Sequence, residues 1–176
     1  EVDWRAGNNR FCIAIGFGSN IKEASHRARG SLLQGFAHAR KAYVQGWRDW
    51  HETLRPVVPD TSSHARRMKQ SAAVIAAHQA RNFHGGVIAS LSCPWGNIHT
   101  DDDLGGYHLI WPRDLYHAAV GFMAIGAKKE ALATLAYFQA TQEPDGNWPQ
   151  SMWLDGEAYG DAKQLDETAA PILATS

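Results

Sequence analysis

Gly105-Gly106-Tyr107-His108-Leu109-Ile110-Trp111-Pro112-Arg113-Asp114 is the stretch around which the chain is organised. A glycine pair leads into an aromatic-rich segment that ends in an Arg-Asp pair. Leu115, Ala118, Ala119, Phe122 and Met123 then recur at spacings of three and four, which predicts a helix over 114–125. Pro112 suits a first helical position, Asp114 suits a first turn, and Gly126 supplies a stop. A long loop rich in reactive and aromatic side chains thus runs directly into a helix start. Flat aromatic faces beside a guanidinium and a carboxylate suit a sugar ring: Tyr107 and Trp111 can cover its C–H face, and Arg113 and Asp114 can take its hydroxyls.

The same alternation extends outward. Residues 62–81 read as a helix, with Met68, Ala72, Ile75, Ala76 and Gln79 on its inner side. Gly85 to Leu91 reads as a short strand or extended segment. Residues 128–142 read as a helix with Ala131, Leu132, Leu135 and Phe138 inside, and another helix begins near Gln164 or Leu165. Alternate connections are long, 92–110 and 143–163. Antiparallel helix pairs would bring those loops to one end of a bundle.

The first third reads differently. Phe11 to Gly18 is a short apolar run ended by glycines and predicts a buried strand. Its glycines lack the spacing and the Lys-Ser/Thr of a phosphate loop. Ser19 or Asn20 can cap a helix over 21–29. A longer helix of about 36 Å is predicted over 31–54, weakened at Gly35 and Gly46 and stopped by the prolines of Arg55-Pro56-Val57-Val58-Pro59. A boundary is placed there, giving domains 1–55 and 56–176.

Composition narrows the function classes. Among 176 residues, 44% are hydrophobic and 20% charged, and the net charge is -1. A folded protein is expected, with no basic face for nucleic acid or an anionic membrane and no apolar run of about 20 residues to span a bilayer. Cys12 and Cys93 lack CxxC spacing and read as two buried free thiols. The nine histidines show no HExxH arrangement, so no catalytic zinc is expected. Asp101-Asp102-Asp103 could ligate a structural Ca²⁺, but its offsets do not match an EF-hand loop and a solvated acidic loop is the default. No cofactor is expected. No signal peptide is visible, although Glu1-Val2-Asp3-Trp4 starts without Met and a leader could have preceded it. The compartment stays open between secreted, periplasmic and cytoplasmic.

Two further clusters follow the first. Asp145-Gly146-Asn147-Trp148-Pro149-Gln150 and Trp153-Leu154-Asp155-Gly156 contain turn signals, but turns alone do not call for two Trp and a Gln. Gln164-Leu165-Asp166-Glu167 precedes the small, apolar run Thr168 to Leu173. A carboxyl held against apolar surface has its charged form disfavoured, as a general acid requires. The plainer reading is a first-turn Asp/Glu pair serving the helix dipole.

With the three clusters in this order, the chain resembles the prokaryotic glucoamylase and glucodextranase family of inverting glycoside hydrolases, family 15. The matching segments are Ile88 to Gly96, Gly105 to Asp114, Pro144 to Gly156, and Gln164 to Glu167 with Pro171-Ile172-Leu173. The resemblance implies a mainly α fold: an incomplete (α/α)₆ barrel of about four helices out of twelve, preceded by the end of an N-terminal β-sandwich and a helical linker. It implies exo-acting hydrolysis of an α-glucan or oligosaccharide, with Glu167 as general acid. Tyr107, Trp111, Arg113, Asp114, Trp148, Gln150 and Trp153 would bind substrate. The general base would lie in a later segment, so the rest of the polypeptide or a second chain would complete the barrel, and 1–176 alone would be inactive. The alternative is a non-catalytic carbohydrate-binding or regulatory relative. Asn97-Ile98-His99-Thr100 departs from the Gly/Asp-rich stretch usual there.

Overall fold

A computed structural model describes residues 11–59, 61, 63–91 and 107–175. The chain divides into two compact units, through Glu52 and from Thr53 onward, and each is described by itself.

The first unit contains α1 (Ile21–Gln34) and α2 (Phe36–Glu52). Asn20 caps α1 by accepting from the Glu23 amide at 3.0 Å, and Glu23 accepts in return from the Ser19 amide at 2.9 Å. The two side chains thereby satisfy amides at the helix start that have no partner within the helix. The single long helix expected over 31–54 is two helices. Gly35 sits at φ 81, a conformation that ends α1 at little cost only because the residue has no Cβ, and α2 starts immediately after it. Along α2, Trp47 contacts Tyr43 and Trp50 edge-to-face, at ring separations of 6.3 and 5.7 Å.

The strand expected over 11–18 does not form. Ile13, Ile15 and Phe17 are each about three-quarters exposed, and no ladder bonds reach them from the other described residues. A strand is held by a neighbouring strand, and none is present among the described residues. Cys12 is likewise exposed rather than buried; Cys93 lies outside the described residues.

The second unit holds α3 (Ala65–Ala77), α4 (Pro112–Ala124), α5 (Lys128–Thr141) and α6 (Leu165–Ala174). Trp111 is extended at φ -103, ψ 128, and Pro112 opens α4 in the first helical position. Gly126, at φ 77, turns the chain into α5. Arg55 closes the other end of α4, its amide donating to the Ile125 carbonyl at 2.8 Å. Helices α5 and α6 both pack on α4. Phe122, Phe138, Leu109, Ile110, Leu115 and Met152 form the fully buried centre. At roughly 25 cal/mol per Å² of apolar area removed from water, each such side chain contributes about 1.5–3 kcal/mol.

On α5 the inward positions are Ala131, Thr134, Tyr137 and Phe138, whereas Leu132, expected inside, is 65% exposed. The described residues form no regular strand, only isolated antiparallel bridges: Gln79 with Val87, Ile110 with Met152, and Met152 with Ala158. The second stitches the loop before α4 to the loop before α6, and the third closes a turn within the latter.

Candidate active site

Helices α4 and α6 begin side by side, and their first turns make the site. The Arg113 amide, near the start of α4, donates to Glu167 Oε2 at 2.6 Å. Such an amide has no acceptor within its own helix, so a carboxylate from α6 supplies the cap that Trp111 cannot. The Arg113 guanidinium spans three carboxylates. Nη1 donates to Asp166 Oδ2 at 2.6 Å, Nη2 donates to Asp114 Oδ2 at 3.2 Å, and Nη1 also lies 2.9 Å from Glu167 Oε1. That last contact is an ion pair without hydrogen-bond alignment: Oε1 is buried and accepts no hydrogen bond from the described residues.

The four groups differ sharply in environment. The side chains of Arg113, Asp114 and Asp166 are 41%, 43% and 52% exposed, and that of Glu167 is 0% exposed. Burial pushes the Glu167 carboxyl above its ordinary range; the Arg113 amide and guanidinium oppose this, and the charges of Asp166 and Asp114 reinforce it. Asp166 moves the other way, below the usual carboxylate range, chiefly through its hydrogen bond from Arg113. The same bond, followed by the charges of Glu167, Asp114 and Asp166, raises Arg113 against the opposing effect of burial. The site therefore sets one carboxyl whose charged form is disfavoured, Glu167, beside one whose charged form is favoured, Asp166.

Tyr107 and Trp111 pack together ahead of α4, with centroids 5.9 Å apart and planes tilted by 39°. Tyr107 is 45% exposed, so this pair keeps an open aromatic surface. In the second loop, Trp153 is half-buried and meets Tyr159 edge-to-face at 5.5 Å. Gln150 is half-buried, its amide bonded to the Ala162 carbonyl at 3.0 Å. Asn147 accepts from Thr168 at 3.5 Å, linking this loop to the residue after Glu167.

Trp148 departs from the expectation of an open platform. It is 6% exposed, its indole N–H donates to the Phe138 carbonyl at 3.0 Å, and its ring stands edge-on to Phe138. Its donor is engaged by α5 and its rings are almost wholly covered. Asp101, Asp102, Asp103, Gly105 and Gly106 lie outside the described residues, as does the departing segment Asn97 to Thr100. No group of three or more His, Cys, Asp or Glu that could hold a metal occurs among the described residues. No described helix is long and apolar enough to cross a membrane.

Two features had no sequence signal. Lys163 bridges to Asp145 and, at 3.1 Å, to Glu143, closing the 143–163 loop at its base; Asp145 is thereby held well below the usual carboxylate range. The Tyr137 hydroxyl donates to the Leu154 carbonyl at 2.9 Å, which anchors the tip of that loop to α5. Two apolar clefts lie away from Glu167. One, of about 600 Å³, is lined by Leu54, Arg55, Met123, Leu132 and Leu135 among others. The second, of about 490 Å³, is lined by residues including Leu135, Phe138, Trp148, Pro171 and Ile172.

The chain as a whole is similar to known proteins. The family described as glucodextranase, domain N, matches residues 1–52. A glucoamylase of Clostridium sp. (strain G0005) is 34% identical over 173 residues, which is 98% of this chain and 24% of that protein. The chain is glucoamylase-like. Its fold agrees with a crystal structure of a bacterial glucoamylase complexed with acarbose, at a TM-score of 0.76 and 34% identity, covering 91% of this chain and 23% of that one. The glucoamylase-like chain is mainly helical, as expected, and spans about a quarter of the length of the relatives it matches.

Proposed function

We propose that this chain is part of an inverting, exo-acting glycoside hydrolase that removes terminal non-reducing glucose from α-glucans, with Glu167 as general acid. The observation that carries the reading is the fully buried carboxyl of Glu167 at the joint between α4 and α6, raised above the ordinary carboxylate range by burial, beside Asp166, which is held below it. In the proposed step the Glu167 proton passes to the glycosidic oxygen as the C1–O bond breaks and its electron pair moves to that oxygen. Water attacks C1 from the opposite face and gives its proton to a second carboxylate about 6.5–9.5 Å from the first. Glu167 is covered in this conformation, so proton delivery requires its carboxyl to rotate or Arg113 to be displaced as the sugar enters. Arg113 and Asp114 would take hydroxyls of the terminal glucose, and Tyr107 and Trp111 would cover its apolar face.

Asp114 and Asp166, the carboxylates that share Arg113 with Glu167, are both committed to that guanidinium. The base is assigned, as the family resemblance implies, to polypeptide outside this chain. The exposed Met123, Leu132, Ile172 and Leu173 and the two apolar clefts beside α4, α5 and α6 suit further barrel helices packing there. Two measurements test the reading on the full-length protein: the anomeric configuration of glucose first released from maltose, isomaltose and trehalose, and the rate of Glu167→Gln. Inversion together with a loss of about 10²–10⁴-fold in kcat is expected. An unimpaired Glu167→Gln enzyme would remove Glu167 from the acid role.

A further inference from the structure

The two oxygens of Glu167 are treated unequally, and the cause is a neighbour rather than Glu167 itself. Oε2 accepts the Arg113 amide at 2.6 Å. Oε1 is buried and accepts no hydrogen bond from the described residues, although Arg113 Nη1 is only 2.9 Å away. One of the two N–H groups of Nη1 is aligned on Asp166 Oδ2 at 2.6 Å, and neither is aligned on Oε1. A guanidinium offers its donors in a fixed planar fork. Held by Asp166 at Nη1 and by Asp114 at Nη2, the plane of the fork takes an orientation in which no N–H is aligned on Oε1.

We propose that Asp166 is a positioning residue that draws the Arg113 guanidinium off Glu167 Oε1 and so reserves that oxygen for the transferable proton. A carboxyl whose two oxygens were both fixed by a cation and an amide would hold its charge and give up its proton early. With Asp166 in place, only Oε2 accepts a hydrogen bond from the described residues, while Oε1 keeps the unaligned ion pair alone. The charged groups acting on Glu167 are Arg113 and Asp114 from α4 and Asp166 from α6, so Asp166 works in two ways. It competes for the cation, and its own negative charge disfavours a second one nearby. Both effects keep Glu167 protonated to higher pH. The proposal rests on the acid role assigned above.

The test is the pH profile of kcat/KM for maltooligosaccharide hydrolysis by the full-length enzyme, comparing Asp166→Asn, Asp166→Glu and Glu167→Gln with the parent. Asn keeps the shape and polarity of the side chain but cannot compete for a cation. Its alkaline limb, where the acid loses its proton, should move to lower pH by about one unit, the scale of a single nearby charge at a part-exposed site. The loss should appear mainly in kcat, and Asp166→Glu should restore most of the limb. A purely structural role would lower activity evenly across pH without moving the limb. An inactive Glu167→Gln enzyme with an unmoved limb in Asp166→Asn overturns this inference and leaves the acid assignment standing. A fully active Glu167→Gln enzyme overturns the acid assignment itself.

Discussion

Replacing Trp148 with phenylalanine separates a packing residue from a pocket wall. In the structure the indole does two things: its N–H satisfies the buried Phe138 carbonyl at 3.0 Å, and its rings fill space beside α5 and α6. Phenylalanine keeps an aromatic ring for the edge-to-face contact with Phe138 but removes the donor. Leaving that carbonyl without its partner costs about 1–3 kcal/mol. The smaller ring also leaves a space of a few tens of Å³, or about 1 kcal/mol at ~24 cal/mol per Å³. The expected total is about 2–4 kcal/mol of destabilisation. Urea unfolding followed by circular dichroism should show a lower midpoint with an unchanged slope, the signature of lost stability alone. At a temperature where both proteins are folded, KM for maltooligosaccharides should stay within about twofold, because neither the indole face nor its N–H is free for sugar. An unchanged midpoint with a KM raised about tenfold would refute the placement, showing that the ring meets substrate rather than α5.

Three further outcomes follow from the same geometry. Glu167 has a folded-state pKa above its unfolded value because it is buried, so it stabilises the fold at low pH and progressively loses that contribution as pH rises through the raised value. Glu167→Gln should therefore gain stability relative to the parent on going from about pH 4 to pH 8 in thermal unfolding; a difference that is flat across that range would contradict the assignment. Gly85→Ala should be destabilising by more than the ~1 kcal/mol typical of a left-handed residue. Its φ is 92, and a Cβ there would stand 2.0 Å from the Ala133 carbonyl oxygen. A midpoint equal to the parent's would refute the close approach. Finally, residues 1–176 alone should release no glucose from maltooligosaccharides, since the proposed base lies outside them; measurable release by the pure chain would refute that.

What could be read from the sequence were the features with a local cause. Pro112, Asp114 and Gly126 bounded α4 to within two residues, because each acts on the backbone within a turn of itself. Ser19 or Asn20 marked the start of α1 for the same reason, and the structure makes Asn20 the cap. The break at Gly35 was legible only as a weakness, since the same glycine can sit inside a helix at modest cost or end it outright. The inward face of α5 was misjudged at Leu132 because α5 carries apolar residues on more than one side, so spacing does not single out a face. The strand over 11–18 depended on a partner that no local pattern supplies. In the site, Glu167, Arg113 and Asp114 stood out by residue type and order. The bond that joins α4 to α6 did not, because a backbone amide carries no signature in the sequence and its acceptor lies 54 residues away. Trp148 and Trp153 stood in similar Gly- and Asp-rich surroundings. Only the fold shows that one faces the interior while the other remains half-buried beside Tyr159.

The electrostatic composition of the joint explains why the Glu167 carboxyl is pushed toward its protonated form while Asp166 is pushed the other way. Asp114, Asp166 and Glu167 bring three carboxylates to a single guanidinium, so the fully ionised cluster carries one positive and three negative charges, a net -2. One cation cannot satisfy three anions, and a single proton reduces the excess to -1. Its place is decided by solvation. Asp114 and Asp166 are about half exposed and hold hydrogen bonds from the guanidinium, and for Asp166 that bond favours the charged form. Glu167 has no exposed surface and only one of its oxygens is hydrogen-bonded. Its charged form is therefore the costliest of the three. The positive ends of two helices, which would otherwise favour an anion there, are offset by the two exposed carboxylates in their first turns. An Asp at each helix start thus does more than complement a dipole: it uses up the positive potential that would strip the proton from the buried acid.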